Sequence, residues 1–93
     1  MKTIILNFEN CRRLSEIHKT LKTAFELPDY YGNNWDALWD CLNGWFIGEG
    51  TVIVEIRGIG SLKYDLRDSV ESMFSVFKDV SINDPNVKFV IVS

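Results

Sequence analysis

The sequence predicts an α/β fold, a small three-stranded parallel sheet with three to four helices packed on it. Three observations carry that expectation. Short apolar runs rich in β-branched residues read as strands at residues 2–8, 51–56 and 87–92. Between them, apolar residues recur at three- to four-residue spacing, as in amphipathic helices. Strands separated by helices pair in parallel through right-handed crossovers. Ninety-three residues, 46% hydrophobic and 25% charged, fit a single soluble domain spanning residues 1–93.

The first strand centres on Thr-Ile-Ile-Leu and is bounded by polar residues. Residues 9–13 turn the chain, with Arg12 and Arg13 in solvent. Leu14, Ile17, Leu21 and Phe25 then form a helical stripe over residues 14–25. His18 lies beside this stripe and reads as an imidazole at the edge of the core, bonded to backbone. No nearby motif makes it a base or a metal ligand. Pro28 ends the helix, because a residue before proline avoids helical geometry. Residues 29–33 form a loop in which Gly32 permits unusual dihedrals.

A short helix follows, from near Asn34 to Gly44. Asn33 or Asn34 can accept a hydrogen bond from an N–H of the first turn. Gly44 suits the left-handed position past the helix end. At 100° per residue, Trp35, Leu38, Cys41, Leu42 and Trp45 share one arc, suited to a core. Asp36, Asp40 and Asn43 share the opposite arc, with Trp39 at its edge. Two carboxylates one turn apart repel each other, and Asp40 stands toward the negative end of the helix dipole. No Lys or Arg is near in sequence to relieve either cost. The bland reading is a solvated helix face. Uncompensated violations of local rules also mark functional surfaces.

Residues 48–50 make a turn into the second strand, whose Glu55 reads as a strand-end acid paired with Arg57. Gly58 and Gly60 do not make a phosphate loop, since the Gly-x-x-x-x-Gly-Lys-Ser/Thr pattern is absent. Residues 61–64 suit one helical turn. Leu66, Val70, Met73, Phe74, Phe77 and Val80 mark a longer helix over 66–80, with Asp79 near its C-terminal end. Residues 83–86 turn into the last strand.

The distribution of charge is more informative than its total of −3. Residues 23–56 contain no Lys or Arg but six acids, Glu26, Asp29, Asp36, Asp40, Glu49 and Glu55. The remainder holds seven acids and ten bases. The same acidic stretch contains every Trp, together with Tyr30, Tyr31, Phe25 and Phe46. Trp and Tyr dominate interface hot spots, and a concentrated negative patch implies a positive partner. The acidic balance argues against nucleic acid as that partner. No run reaches the length of a membrane span, and the N-terminal apolar run is too short for a signal peptide. The expected location is therefore the cytoplasm. Cys11 and Cys41 make no metal pattern. Cys41 reads as a buried thiol, and the sequence leaves a disulfide between the two open.

Two functional classes compete on these residues. Asp36 and Asp40 suit a protein-binding surface. An acid/base pair of the glycosidase kind is the enzymatic rival, but such pairs flank a cleft and these project from a convex helix face. Two carboxylates also supply too few ligands for a metal. The expectation is a protein that is not an enzyme and uses no cofactor.

Residues 27–45 read Leu-Pro-Asp-Tyr-Tyr-Gly-Asn-Asn-Trp-Asp-Ala-Leu-Trp-Asp-Cys-Leu-Asn-Gly-Trp. This stretch closely resembles the barstar family of intracellular ribonuclease inhibitors. The likeness extends along the chain, including Glu71-Ser-Met-Phe-Ser-Val-Phe-Lys-Asp and the closing Val-Ile-Val-Ser. It implies a three-stranded parallel sheet with an exposed inhibitory helix and loop, residues 30–46. Asp40 matches the aspartate that enters the ribonuclease active site in place of a substrate phosphate. Asp36 matches a second interface acid, and Tyr30 and Trp39 match aromatic contacts. Asn34, Gly44 and Trp45 match further contact positions. Asn43 stands where the family has a threonine-like residue, Trp35 where it has a leucine, and Asp79 where it has a longer acid. Phe46 and the turn at residues 48–50 also depart from the pattern. The implied partner is a basic, barnase-like ribonuclease, bound one-to-one by a chain that is monomeric when free. The alternative is an immunity or regulatory module for a different basic toxin or nuclease.

Overall fold

The computed structural model describes residues 1–29, 31–32, 34–44, 48 and 50–92. Expectations resting on Tyr30, Asn33, Trp45, Phe46 and Glu49 lie outside the described residues. Three strands, β1 (Lys2–Asn7), β2 (Val52–Arg57) and β3 (Val87–Ile91), form one parallel sheet in the order β1-β2-β3. Three helices, α1 (Leu14–Phe25), α2 (Trp35–Leu42) and α3 (Tyr64–Asn83), and a 3-10 turn at Ile59–Ser61 complete the described elements. The α/β class, the three strands and their parallel pairing are those the sequence predicts.

Strand alternation sets which side of the sheet is buried. Ile4 pairs with Val54 and Val54 with Phe89, while Leu6 pairs with Ile56 and Ile56 with Ile91. On this face Ile4, Leu6, Val52, Val54, Ile56 and Val87 are buried beneath the helices. From α1, Ile17, Leu21 and Phe25 reach into the core, and from α3, Val70, Met73, Phe77 and Val80 do so. The two helices meet where Phe25 stands edge-on to Phe77, which stacks on Phe89 with ring centroids 4.3 Å apart. The opposite face carries Thr3, Ile5, Ile53, Glu55, Lys88 and Val90, none of them buried.

The structure refines several expected boundaries. The side chain of Asn7 accepts the Glu9 N–H, which turns the chain after β1 although Phe8 remains fully buried. The helix expected over residues 66–80 runs instead from Tyr64 to Asn83. Its apolar stripe marked only the packed part, and Tyr64, Asp65, Ile82 and Asn83 beyond it are exposed. The Ser81 hydroxyl donates to the Val87 carbonyl, and the Asp84 N–H bonds to the Val80 carbonyl. The turn expected at residues 61–64 lies at Ile59–Ser61, where Arg67 donates to the carbonyls of Gly60 and Leu62.

Two side chains depart further from expectation. His18 is buried, and its Nδ1 is joined to the Tyr31 hydroxyl at 2.6 Å rather than to backbone. Tyr31, from the loop after Pro28, is the nearer polar group once the loop folds over α1. Cys41 is only half-buried, because it lies at the margin of the apolar arc of α2. Cys11 and Cys41 are both free thiols, and Cys11 is buried with its Sγ 3.5 Å from the Thr20 hydroxyl. Arg12 and Arg13 are exposed, and Arg57 meets Glu55 at 3.4 Å, as expected. Among the described residues, no helix is long and apolar enough to cross a membrane.

Candidate partner-binding surface

The acidic surface is built on α2, and local chemistry fixes where that helix starts and stops. Asn34 is extended, and its Oδ1 accepts the Ala37 N–H at 2.7 Å, while its Nδ2 donates to the Gly32 carbonyl. Of the two expected capping residues, Asn34 fills the role. At the other end the Asn43 N–H bonds to the Trp39 carbonyl, and Gly44 takes a φ of +87°. A residue bearing a Cβ resists that dihedral, so glycine is the natural stop.

Burial orients the helix. Leu38 and Leu42 are fully buried, and Trp35, Trp39 and Cys41 pack partly against the core. Asp36, Asp40 and Asn43 are exposed on the other side. Neither Asp36 nor Asp40 has an ion pair among the described residues. The one described salt bridge close in sequence joins Lys22 to Asp29 at 3.4 Å, before the helix begins.

Beneath α2 the main helix contact is with α3, and α1 adds one buried side chain at the start of the helix. The imidazole of His18 lies against Trp35, with ring centroids 4.5 Å apart, while its Nδ1 holds Tyr31. A single buried side chain thus contacts both the loop before α2 and the first residue of α2. Burial lowers the pKa of His18, which favours the neutral ring. Burial also raises the pKa of Tyr31, with a smaller contribution from Cys41. The thiol of Cys41 is raised first by burial and then by the neighbouring Asp40 carboxylate.

A groove of about 290 Å³ separates the C-terminal ends of α2 and α3. It is lined by Trp39, Leu42, Asn43 and Gly44 on one side and by Val80, Asn83 and Asp84 on the other. Asp79 is exposed one helical turn before Asn83, on the same flank of α3. The structure therefore gathers Asp36, Trp39, Asp40, Asn43, Gly44 and Asp79 around α2 and the adjoining flank of α3. Asn34 lies at the start of α2, where its side chain is committed to capping. Tyr30 and Trp45 lie outside the described residues. Sequence reasoning missed Asn83 and Asp84 as groove residues, as it did the His18–Tyr31 support. Leu42 and Val80, both buried, line the groove from the two helices, and no local pattern encodes that meeting.

Among the described residues, no hydrogen bond or ion pair joins a His, Lys or Ser to Asp36 or Asp40, and no three His, Cys, Asp or Glu side chains converge as a metal site would require. The arrangement is a protruding anionic surface bordered by an indole. The family model Barstar (barnase inhibitor) matches residues 1–93. A Bacillus subtilis (strain 168) protein named "Putative ribonuclease inhibitor YrdF" is 47% identical over 45 residues. That match covers 48% of this chain and 50% of the relative, so the chain spans about half the length of the curated protein it matches.

Proposed function

The chain belongs to the barstar family, and from that premise we propose that it is an inhibitor of a basic, barnase-like ribonuclease, acting by occlusion and not by chemistry. The observation that carries this reading is the exposure of Asp36 and Asp40 on one face of α2, with no ion pair to either among the described residues. A ribonuclease cleft must be basic to hold phosphates. Asp40 enters that cleft and meets the side chains that otherwise bind substrate. Asp36 adds a second charge one turn away, and Asp79 a third from α3. Trp39, with Tyr30, borders these contacts and excludes water, which strengthens each charged pair. Asn43, Gly44 and Trp45 complete the contact at the end of α2, and Asn34 at its start. The inhibitor works in the cytoplasm, as one copy per target.

Truncating one partner of a desolvated charge pair commonly costs about 2–5 kcal/mol, a general range to which pairs of the barnase–barstar complex themselves contribute. Asp40→Ala should therefore weaken binding to a cognate ribonuclease by roughly 30-fold to several thousandfold, with the fold unchanged. Isothermal titration, with circular dichroism as the folding control, measures this. Wild-type affinity in a folded Asp40→Ala protein would rule the mechanism out.

A second reading changes only the target. Asn43, Trp35 and Asp79 depart from the family pattern, and Asn43 lines the groove beside Trp39. These departures favour a target whose surface beyond the catalytic cations differs from that of barnase, such as another basic toxin. Affinity capture from the native source, followed by mass identification, distinguishes the two.

A further inference from the structure

Strand β3 is an edge strand, and its last two residues and the one after it are exposed and apolar. Val90, Ile91 and Val92 are 44%, 59% and 43% exposed. Edges of this kind are usually blunted by charge, proline or a covering loop, and β3 carries one such charge, Lys88, before its apolar end. The hydrogen bonds show which groups the edge offers. The Asn86 carbonyl accepts the Val52 N–H, and the Val92 N–H bonds to the Ile56 carbonyl. By the two-residue period, even-numbered residues of β3 face β2 and odd-numbered residues face outward. The outward carbonyl of Val87 is covered by the Ser81 hydroxyl. Among the described residues, nothing bonds the outward groups of Phe89 and Ile91.

The flank of α3 beside this edge carries a matched pair of charges. Ser81 reaches Val87 while Phe77 stacks on Phe89, so α3 runs antiparallel to β3 along its edge. Seven residues make nearly two helical turns, which places Glu71 and Lys78 on one stripe next to Ser81. One residue along the strand rises about as far as two along the helix. Counting from the Phe77–Phe89 stack, Val90 is level with Ser75, close to midway between Glu71 and Lys78. Both charges are exposed, and neither has a described ion pair.

We propose that β3 is the surface through which two copies of this chain associate, by antiparallel edge pairing about a two-fold axis near Val90. Phe89 of each copy then exchanges backbone hydrogen bonds with Ile91 of the other, and Val90 packs on its counterpart. The axis brings Glu71 of each copy to Lys78 of the other. That charge pattern complements itself, which is what an isologous interface requires and what selects a second copy as the occupant. The other edge, β1, lacks this property: the groove beside it is lined by Ile5, Asn7, Thr20, Thr23, Ala24 and Lys19, with no acid. Since α2 packs on the opposite flank of α3, pairing through β3 leaves Asp36 and Asp40 accessible. The free monomer expected from the sequence is then the dilute limit of a weak self-association.

Sedimentation velocity from low micromolar to submillimolar protein tests this. The weight-average mass should rise toward that of a dimer. Ile91→Pro removes an outward N–H without touching the β2–β3 ladder and should hold the protein monomeric. Glu71→Lys or Lys78→Glu alone should weaken association several-fold, and the two together should restore it. This reciprocal rescue keeps the test decisive if the proline variant misfolds. Amide exchange at Phe89 and Ile91 should slow as wild-type concentration rises. A wild-type protein that stays monomeric throughout, or a dimer indifferent to both charge reversals, would overturn the proposal.

Discussion

His18 shows how much can rest on one side chain. It is the one buried polar or charged residue among those described, and it contacts Tyr31 and Trp35 together. Its folded-state pKa is lowered by burial, so the folded chain binds a proton less readily than the unfolded chain. The stabilisation it gives is present above the unfolded value near 6.5 and is lost as the pH falls below it. Urea denaturation through this range should show stability declining toward acid, with a smaller slope in His18→Gln. The sequence placed His18 beside the core but could not supply its partner, because Tyr31 is thirteen residues away across a proline. Asp36 and Asp40 were legible for the opposite reason. Their oddity is local: two like charges at one-turn spacing, without a nearby cation.

At the level of elements, periodicity identified each described strand and α-helix, since each buries one face. What it could not set were ends fixed by single bonds, such as those of Ser81 and Arg67. The turn after β2 is one such place. Gly58 has a φ of +79°, and a Cβ added there would lie 2.3 Å from the backbone nitrogen of Glu9. The sequence showed a glycine without a phosphate loop but gave no hint that two strand exits crowd each other there. Forcing a non-glycine residue into a left-handed dihedral costs about 1–3 kcal/mol, and the clash with backbone adds to it. Gly58→Ala should therefore lower the unfolding free energy by at least about 2 kcal/mol. Thermal denaturation checks this, and a melting temperature equal to that of wild type would show that the crossing relaxes freely.

Across the whole molecule, charge and fold are arranged around different halves. All ten Lys and Arg lie outside residues 23–56, so α2 presents a negative surface on a chain of net charge −3. Fields of this kind accelerate encounter with an oppositely charged partner and are screened by salt. For the proposed ribonuclease target, the association rate should fall roughly tenfold or more between low and high ionic strength, while dissociation changes little. Stopped-flow fluorescence of the interface tryptophans measures both rates. A salt-independent association rate would separate the binding surface from the charge pattern. The sequence made the charge distribution plain, but not the single-sided sheet, since the outer residues Ile5, Ile53 and Val90 are as apolar as many inner ones.

The support that α1 gives to α2 also bears on how recognition diversifies. Because Leu38, Leu42 and the His18 contacts hold that helix from below, its outward positions are free of structural duty. A lineage can rewrite Asp36, Asp40 or Asn43 to follow a changing adversary while the framework beneath stays put. The helix then serves as an interchangeable printing face on a fixed block, and new specificities require no new architecture.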